Sequence, residues 1–122
     1  MKLAKVQELL DAKIHAGAEL VGQLEVKDAF GSDLMSDVLA FVQEQGMLLT
    51  GLRNSQVVRT AEMMDMQVVV FVRGKEPDEE MVSVAEERNI VLMSTEMTMF
   101  TSCGILYKNG LGTDGKAGES LV

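Results

Sequence analysis

The chain has very little of what most metal sites and disulfide frameworks are built from. Its 122 residues include one cysteine, one histidine, one proline and no tryptophan. A single cysteine, Cys103, excludes an internal disulfide and fits a reducing compartment. A single histidine, His15, without a cluster of cysteines or acids around it in the sequence, is a poor metal ligand. We therefore predict no metal site and interpret His15 as a structural residue.

Long apolar runs are also missing. Residues 68–72 form a run of five, and no run in the sequence is longer, whereas a membrane-spanning helix needs about 20. Residues 1–5 carry charge but no apolar segment of signal-peptide length. We predict a cytoplasmic protein with no membrane partner.

Positive charge is scarce. Eleven lysines and arginines face nineteen aspartates and glutamates, a net charge of −8. Nucleic acids and anionic membranes both select basic surfaces, so the balance disfavours either as a partner. Hydrophobic residues make up 47% of the chain, which at this length predicts one domain with its own core.

The apolar spacing predicts helices and strands in alternation. A helix is predicted over residues 3–13, with strands over residues 13–16, 24–30, 47–52, 67–72 and 90–94. Helices follow the last four strands, and we predict that they begin at Ser32, at Asn54 or Ser55, at Pro77, and at Ser94 or Thr95. Gly46 is predicted to end the first of these four.

This order predicts an α/β fold, a three-layer α/β/α sandwich with a mostly parallel sheet of about five strands and right-handed crossovers. The most apolar strand, residues 67–72, should be central. Residues 1–111 are predicted to form this single domain, and residues 112–122 a Gly-rich polar tail.

Three predicted loops have the same form, in which small polar residues lie between a strand end and a helix start. Parallel strands place such loops at one edge, where ligands bind near a switch in strand order. Free amides there can hold an anion, Gly51 allows close backbone approach, and Arg53 adds a charged fork. The predicted ligand-binding residues are Ser32, Asp33, Thr50, Gly51, Arg53, Asn54, Thr95 and Thr98.

A structural interpretation of the same residues stays open. Serine, threonine, asparagine and aspartate before helices are ordinary caps. Gly51 can simply allow a turn, and Arg53 can pair with Asp33 or Glu96. The acidic run Asp78-Glu79-Glu80 is more often a solvated helix start than a partner surface.

Signatures of catalysis are absent from the sequence. It contains no GxxxxGK[ST] phosphate loop and no GxSxG elbow. The letters GxGxxG occur at residues 110–115, but they follow the predicted last helix instead of joining a strand to a helix, so we predict no dinucleotide turn. A lone histidine leaves little room for a Ser-His-Asp arrangement. We predict no catalytic residues and no cofactor, and we interpret Cys103 as a small buried hydrophobe rather than a reactive thiol.

Several stretches together resemble the DRTGG domain family. They are Leu49-Thr50-Gly51-Leu52-Arg53-Asn54-Ser55, the apolar run at residues 68–72, Gly31-Ser32-Asp33-Leu34-Met35-Ser36, and the segment from Pro77 to Phe100. The resemblance covers nearly the whole chain to about residue 111. The full Asp-Arg-Thr-Gly-Gly string is absent, and Thr50-Gly51 and Arg53 stand near its place.

The family is related to the N-terminal domain of HPr kinase/phosphorylase and also occurs beside CBS domains in some inorganic pyrophosphatases. The resemblance implies a three-layer α/β fold, a tendency to self-associate and a regulatory role. Our first hypothesis is a stand-alone, non-catalytic module that senses an anionic small molecule or nucleotide. The second is a homodimeric interaction or scaffold domain without a small ligand, docking on a larger enzyme or signalling protein. A free-standing enzyme is the third.

Overall fold

The computed structural model describes residues 1–41 and 46–112. Its elements follow the predicted order of helices and strands, with one added short 3₁₀ helix. They are α1 (Leu3–Leu10), β1 (Lys13–Ala16), the 3₁₀ helix (Ala18–Leu20), β2 (Ala29–Gly31), α2 (Met35–Phe41), β3 (Met47–Thr50), α3 (Ser55–Met63), β4 (Val68–Phe71), α4 (Glu79–Arg88), β5 (Val91–Ser94) and α5 (Met99–Lys108).

The five strands form one sheet in the order β1-β5-β4-β3-β2. Strands β2 to β5 run parallel to one another, and β1 lies antiparallel to β5 at the edge. The strand predicted to be central, now β4, is the middle one. The prediction of an α/β/α sandwich with a mostly parallel sheet of five strands is confirmed.

Helices cover both faces of the sheet. On one face, Leu3 and Leu10 of α1 and Leu106 of α5 pack with the side chains of Leu49 and Met93. On the other face, α2, α3 and α4 pack on the alternate side chains of the same strands. All residues of β3, β4 and β5 are buried, which is why these strands are apolar without alternation.

The four parallel strands follow one another in a single direction across the sheet. Helices α2, α3 and α4, which connect them, all lie on one face. Because right-handed crossovers that step the same way stay on the same face, this is the expected arrangement. Strands β2 to β5 contain no switch in strand order, so the predicted ligand site depends on the loops at the carboxyl ends of these strands and not on such a switch.

The strand predicted over residues 24–30 is shorter than expected. Its first half wraps around the start of α1: the amide of Leu3 donates to the Leu24 carbonyl at 2.9 Å, and Val26 donates to the Met1 carbonyl at 2.8 Å. Glu25 forms only an isolated bridge with Lys2. The backbone of these residues is thus bonded outside the sheet, and β2 begins at Ala29.

Three helix starts also differ from prediction. Helix α2 begins at Met35 instead of directly after Ser32. Helix α4 begins at Glu79 instead of Pro77, because Asp78 is its N-cap and accepts from the Met81 amide. Helix α5 is capped by Thr98, not by Ser94 or Thr95.

Two predictions fall largely outside the described residues. The helix end predicted at Gly46 depends on residues 42–45, and of the predicted tail only Gly112 lies within them. In the part of the chain that the structure describes, no helix has the length and apolarity of a membrane span.

Candidate functional site

The loops after β2, β3, β4 and β5 meet at one edge of the sheet, which we call the carboxyl edge. Three predicted site residues, Asp33, Thr50 and Gly51, are in contact there. The Asp33 Oδ1 atom accepts hydrogen bonds from the Gly51 amide at 2.6 Å and from the Thr50 hydroxyl at 3.2 Å. The Thr50 hydroxyl oxygen accepts in turn from the Leu52 amide at 3.1 Å. The Gly51 amide, which we had predicted to contact a bound anion, thus donates to the carboxylate of Asp33 within the protein.

A cation that sequence reasoning missed completes this cluster. The Nη2 atom of Arg73 lies 3.5 Å from Asp33 Oδ2, and both side chains are about half exposed (51% and 49%). The guanidinium lies against Gly51, where a Cβ atom would collide with Nη2. Gly51 therefore provides room for an arginine from the next strand. The sequence did contain a signal for this cation. Arg73-Gly74 directly follows an apolar strand and precedes a helix, which is the position of the three loops that we had singled out.

The backbone of the loop after β4 aims Arg73 at this cluster. Arg73 and Gly74 both have left-handed φ angles, +60° and +71°. Their amides donate to the carbonyls of Met97 at 2.8 Å and Thr95 at 2.9 Å, so the loop is joined to the one after β5. A side chain on Gly74 would meet the Glu96 carboxylate at 2.7 Å.

Arg53 and Asn54 lie on the same edge but outside the cluster. Both side chains are exposed. The ion pair that we considered for Arg53 with Asp33 is made by Arg73 instead. Asn54 is the N-cap of α3, yet its side chain makes no capping hydrogen bond, so the first amides of this helix have no side-chain acceptor from the cap.

The remaining predicted site residues are engaged in structural hydrogen bonds. The Ser32 hydroxyl oxygen accepts from the Leu34 amide at 3.0 Å. The Thr95 hydroxyl is buried and donates to the Leu10 carbonyl at 2.7 Å. Thr98 accepts from the Thr101 amide as the cap of α5. These hydrogen bonds join the three residues to their own loops and to the end of α1, not to Asp33, Thr50, Gly51 or Arg73.

His15 contacts Ser94, a pair that the sequence did not suggest. Its Nε2 atom lies 2.7 Å from the Ser94 hydroxyl oxygen, which links β1 to β5. Burial lowers the pKa of His15; Glu76 opposes that shift and Lys13 adds to it. Ser94 is 6% exposed, so the pair joins two strands and offers little access to a substrate.

A separate apolar groove lies between the edge strand β2 and helix α5. Its volume is about 460 Å³, and its walls include Gly31, Phe100, Cys103, Tyr107, Leu111 and Gly112. Cys103 is half-buried rather than fully buried, and burial raises the pKa of its thiol. A raised pKa disfavours the reactive thiolate. Phe100, which lines this groove, is 89% exposed.

Residues 1–41 and 46–112 contain no group of three or more histidine, cysteine, aspartate or glutamate side chains placed to hold a metal ion.

The architecture is similar to a solved regulatory region. That structure is of the CBS and DRTGG domains of the regulatory region of Clostridium perfringens pyrophosphatase, complexed with the activator diadenosine tetraphosphate. The match has a TM-score of 0.69 at 15% sequence identity and covers 86% of this chain and 47% of that chain. This chain therefore spans about half the length of the solved one. No protein-family model matches the sequence, and no curated protein matches it.

At this identity the similarity shows the fold. The resemblance to a DRTGG-like domain that the sequence predicted is confirmed at that level.

Proposed function

We propose that this chain is a non-catalytic regulatory module that binds an anionic ligand, a nucleotide, at the carboxyl edge. The observation that carries the proposal is the place of Arg73. It lies half exposed over Gly51 at the carboxyl ends of the parallel strands, where ligands of such sheets bind. The solved neighbour supports the regulatory role, because it is a regulatory region and not a catalytic domain.

Charge also supports an anion at this edge. The chain carries a net charge of −8, yet Arg53 and Arg73 are both exposed there. Arginine presents a planar fork that matches phosphate oxygens. The amides of Ser55 and Gln56 begin α3 just after Arg53, and the Asn54 side chain does not cap them, whereas the Val57 amide donates to the Asn54 carbonyl at 3.1 Å. A phosphate there would interact favourably with both the guanidinium groups and the helix dipole.

Titration calorimetry with AMP, ATP, diadenosine tetraphosphate and inorganic phosphate tests the proposal. We expect at least one nucleotide to bind, and Arg73→Ala and Arg53→Ala each to weaken it by about tenfold, or about 1.4 kcal/mol. Arg59→Ala is the matched control, because Arg59 is an exposed arginine in the middle of α3. Equal affinities for the wild type and all three variants, or no binding at all, would refute the nucleotide site.

A second candidate function is a self-associating interaction module, and the exposed aromatic side chains of α5 favour it. Phe100 and Tyr107 are 89% and 39% exposed on the same helix, and apolar side chains in such positions are typical of interfaces. Sedimentation at micromolar concentration tests it. A dimer that Phe100→Ser dissociates would support this function, and a monomeric wild type would contradict it.

A further inference from the structure

Large apolar side chains are exposed on both faces of the sheet beside the outer edge of β2. Among the described strands, β2 pairs with β3 alone. Helix α2 follows β2 on one face, and α5 lies beside β2 on the other, across the apolar groove. Leu34 and Leu39, in α2 or directly before it, are exposed, as are Phe100 and Tyr107 on α5. Of the exposed large apolar side chains in the described ranges, only Met63 lies elsewhere. Such a grouping is typical of a protein–protein contact.

Helix α5 carries a protruding side chain and an empty place one turn apart. Phe100 lines the groove and is 89% exposed. Gly104 lines the same groove, and no atom of the described residues lies within 4 Å of the position that its Cβ would take. The groove, at about 460 Å³, has room for an aromatic side chain. The surface of one copy therefore has both a projection, Phe100, and an apolar recess at Gly104.

Nothing in the described part of the chain requires glycine at position 104. Gly104 lies in the middle of α5, where glycine weakens a helix relative to alanine. It is not one of the glycines with a left-handed φ angle, and a Cβ there would touch none of the described residues. Glycine does allow another group to approach the backbone closely. The recess is thus suited to a group that approaches α5 from outside.

Charge favours a second copy of this chain as the source of that group. Two copies, each with a net charge of −8, repel one another, so they associate best through a surface without acidic residues. Helix α5 has no acidic residue and one basic residue, Lys108. Phe100 and Lys108 lie four residues on either side of Gly104. Two antiparallel copies of α5 that cross at Gly104 place Lys108 of one beside Phe100 of the other, where a cation and an aromatic ring attract each other.

We propose that two copies of this chain associate about a twofold axis at Gly104, with Phe100 of each copy inserted into the groove of the other. The contact rests on the self-association given above as the second candidate function. A twofold contact is self-complementary, so both grooves are filled at once. Asp28, which lines the groove and lies beside Gly112, then faces the amino end of α5 of the other copy, where the helix dipole favours a carboxylate.

Sedimentation equilibrium of the full chain over a series of concentrations tests the contact. Gly104→Leu fills the recess and should raise the dimer dissociation constant at least about tenfold, as loss of a central interface contact does. Gly22→Leu is the matched control and should leave the constant unchanged. A side chain at Gly22 would also meet no described atom within 4 Å, but Gly22 lies in the turn after the 3₁₀ helix and does not line the groove.

The outcomes separate this contact from self-association in general. A wild-type dimer that Gly104→Leu leaves unchanged, or equal effects of the two leucines, would overturn the contact while self-association stands. A monomeric wild type at micromolar concentration would overturn both.

A mixture of two variants tests insertion between copies. Phe100→Ser removes the projection and keeps the recess, whereas Gly104→Leu keeps the projection and fills the recess. Neither variant can form the contact with itself, yet a heterodimer contains one intact contact. We expect the heterodimer, followed through a fluorescent label on one variant, to form at least about fivefold more tightly than either homodimer. A heterodimer no tighter than the homodimers would overturn the insertion.

NMR of the wild type keeps the outcome clear if a variant fails to fold. In a dimer of isotope-labelled and unlabelled copies, the ring protons of Phe100 should show nuclear Overhauser effects to the α-protons of Gly104 in the other copy. A wild-type dimer without them would overturn the proposed contact.

Discussion

The Asp33 carboxylate accepts a 2.6 Å hydrogen bond from the Gly51 amide and so joins the loop after β2 to the loop after β3. The same carboxylate meets the guanidinium of Arg73 from the loop after β4. Three neighbouring loops are thus held by one acidic side chain. Any anion that binds the Gly51 amide must displace Asp33, whereas an anion that binds Arg73 and Arg53 need not.

Replacing Asp33 should loosen this edge. We expect Asp33→Ala to lower the free energy of unfolding by about 1–2 kcal/mol, because it removes the acceptor of the Gly51 amide and the Thr50 hydroxyl. The half-exposed ion pair with Arg73 should add little. Urea denaturation measures the change. Glu87→Ala, which removes an equal charge from an exposed position on α4, should change stability by less than about 0.5 kcal/mol; an equal loss in both variants would contradict the prediction.

Gly51 and Arg73 should be energetically coupled. A Cβ on residue 51 would collide with the Arg73 guanidinium, so Gly51→Ala must displace that side chain. In Arg73→Ala the obstacle is gone. The guanidinium is the end of a flexible, half-exposed side chain whose ion pair contributes little. We therefore expect Gly51→Ala to cost the wild type about 0.5 kcal/mol more than it costs the Arg73→Ala background, at the low end of the usual coupling between contacting residues.

The double-mutant cycle is measured by urea denaturation of the four proteins. Additive effects would show that the collision is relieved without cost and would contradict the coupling.

Stability should fall as the pH is lowered below the ordinary pKa of histidine. Burial lowers the pKa of His15 in the folded protein from 6.5. Below about pH 6.5 the unfolded chain therefore binds a proton that the folded chain does not, which favours unfolding. The contribution of His15 to the free energy of unfolding is fully present above about pH 6.5 and is lost as the pH falls through the lowered pKa of the folded state.

Thermal melting of the wild type and His15→Gln between about pH 7.5 and pH 5.5 measures this effect, because the interval brackets the unfolded pKa. We expect the wild type to lose more stability than the variant across the interval. If the melting temperatures of the two proteins change equally with pH, His15 does not contribute to the pH dependence of stability.

Thr95 should matter for stability rather than for binding. Its buried hydroxyl donates to the Leu10 carbonyl at 2.7 Å and so joins the end of α1 to the loop after β5. Thr95→Val keeps the shape but leaves that buried carbonyl without its donor, at a cost of about 1–3 kcal/mol. Thr95→Ser retains the hydroxyl and is the control. If chemical denaturation shows that valine costs no more than serine, the hydrogen bond is not a source of stability.

Much of the fold follows from local patterns in the sequence. The run at residues 68–72 is apolar on both sides, and it forms the central strand β4 because both faces of the sheet are covered there. Asn89 ends α4 with a left-handed φ of +57°, as its residue type allows. The extended stretch at residues 24–28 was mistaken for part of a strand because its hydrogen-bond partners, Met1 and Leu3, lie far away in the sequence.

The candidate site was likewise predictable from the sequence only in part. Loops rich in small polar residues were predicted at the carboxyl edge, and Asp33, Thr50 and Gly51 do meet there. That Arg73 rather than Arg53 pairs with Asp33 could not be predicted, because the two arginines follow different strands and only the strand order determines which side chain points at Gly51.

The sequence by itself determined the elements, the parallel sheet and the kind of residue at its carboxyl edge, since periodicity and capping act over a few neighbouring residues. Only the tertiary structure decided the strand order, the carboxylate that accepts from the Gly51 amide, and the contact of Gly112 with the start of β2. Each of these depends on groups that are distant in the chain and are brought together by burial of the core.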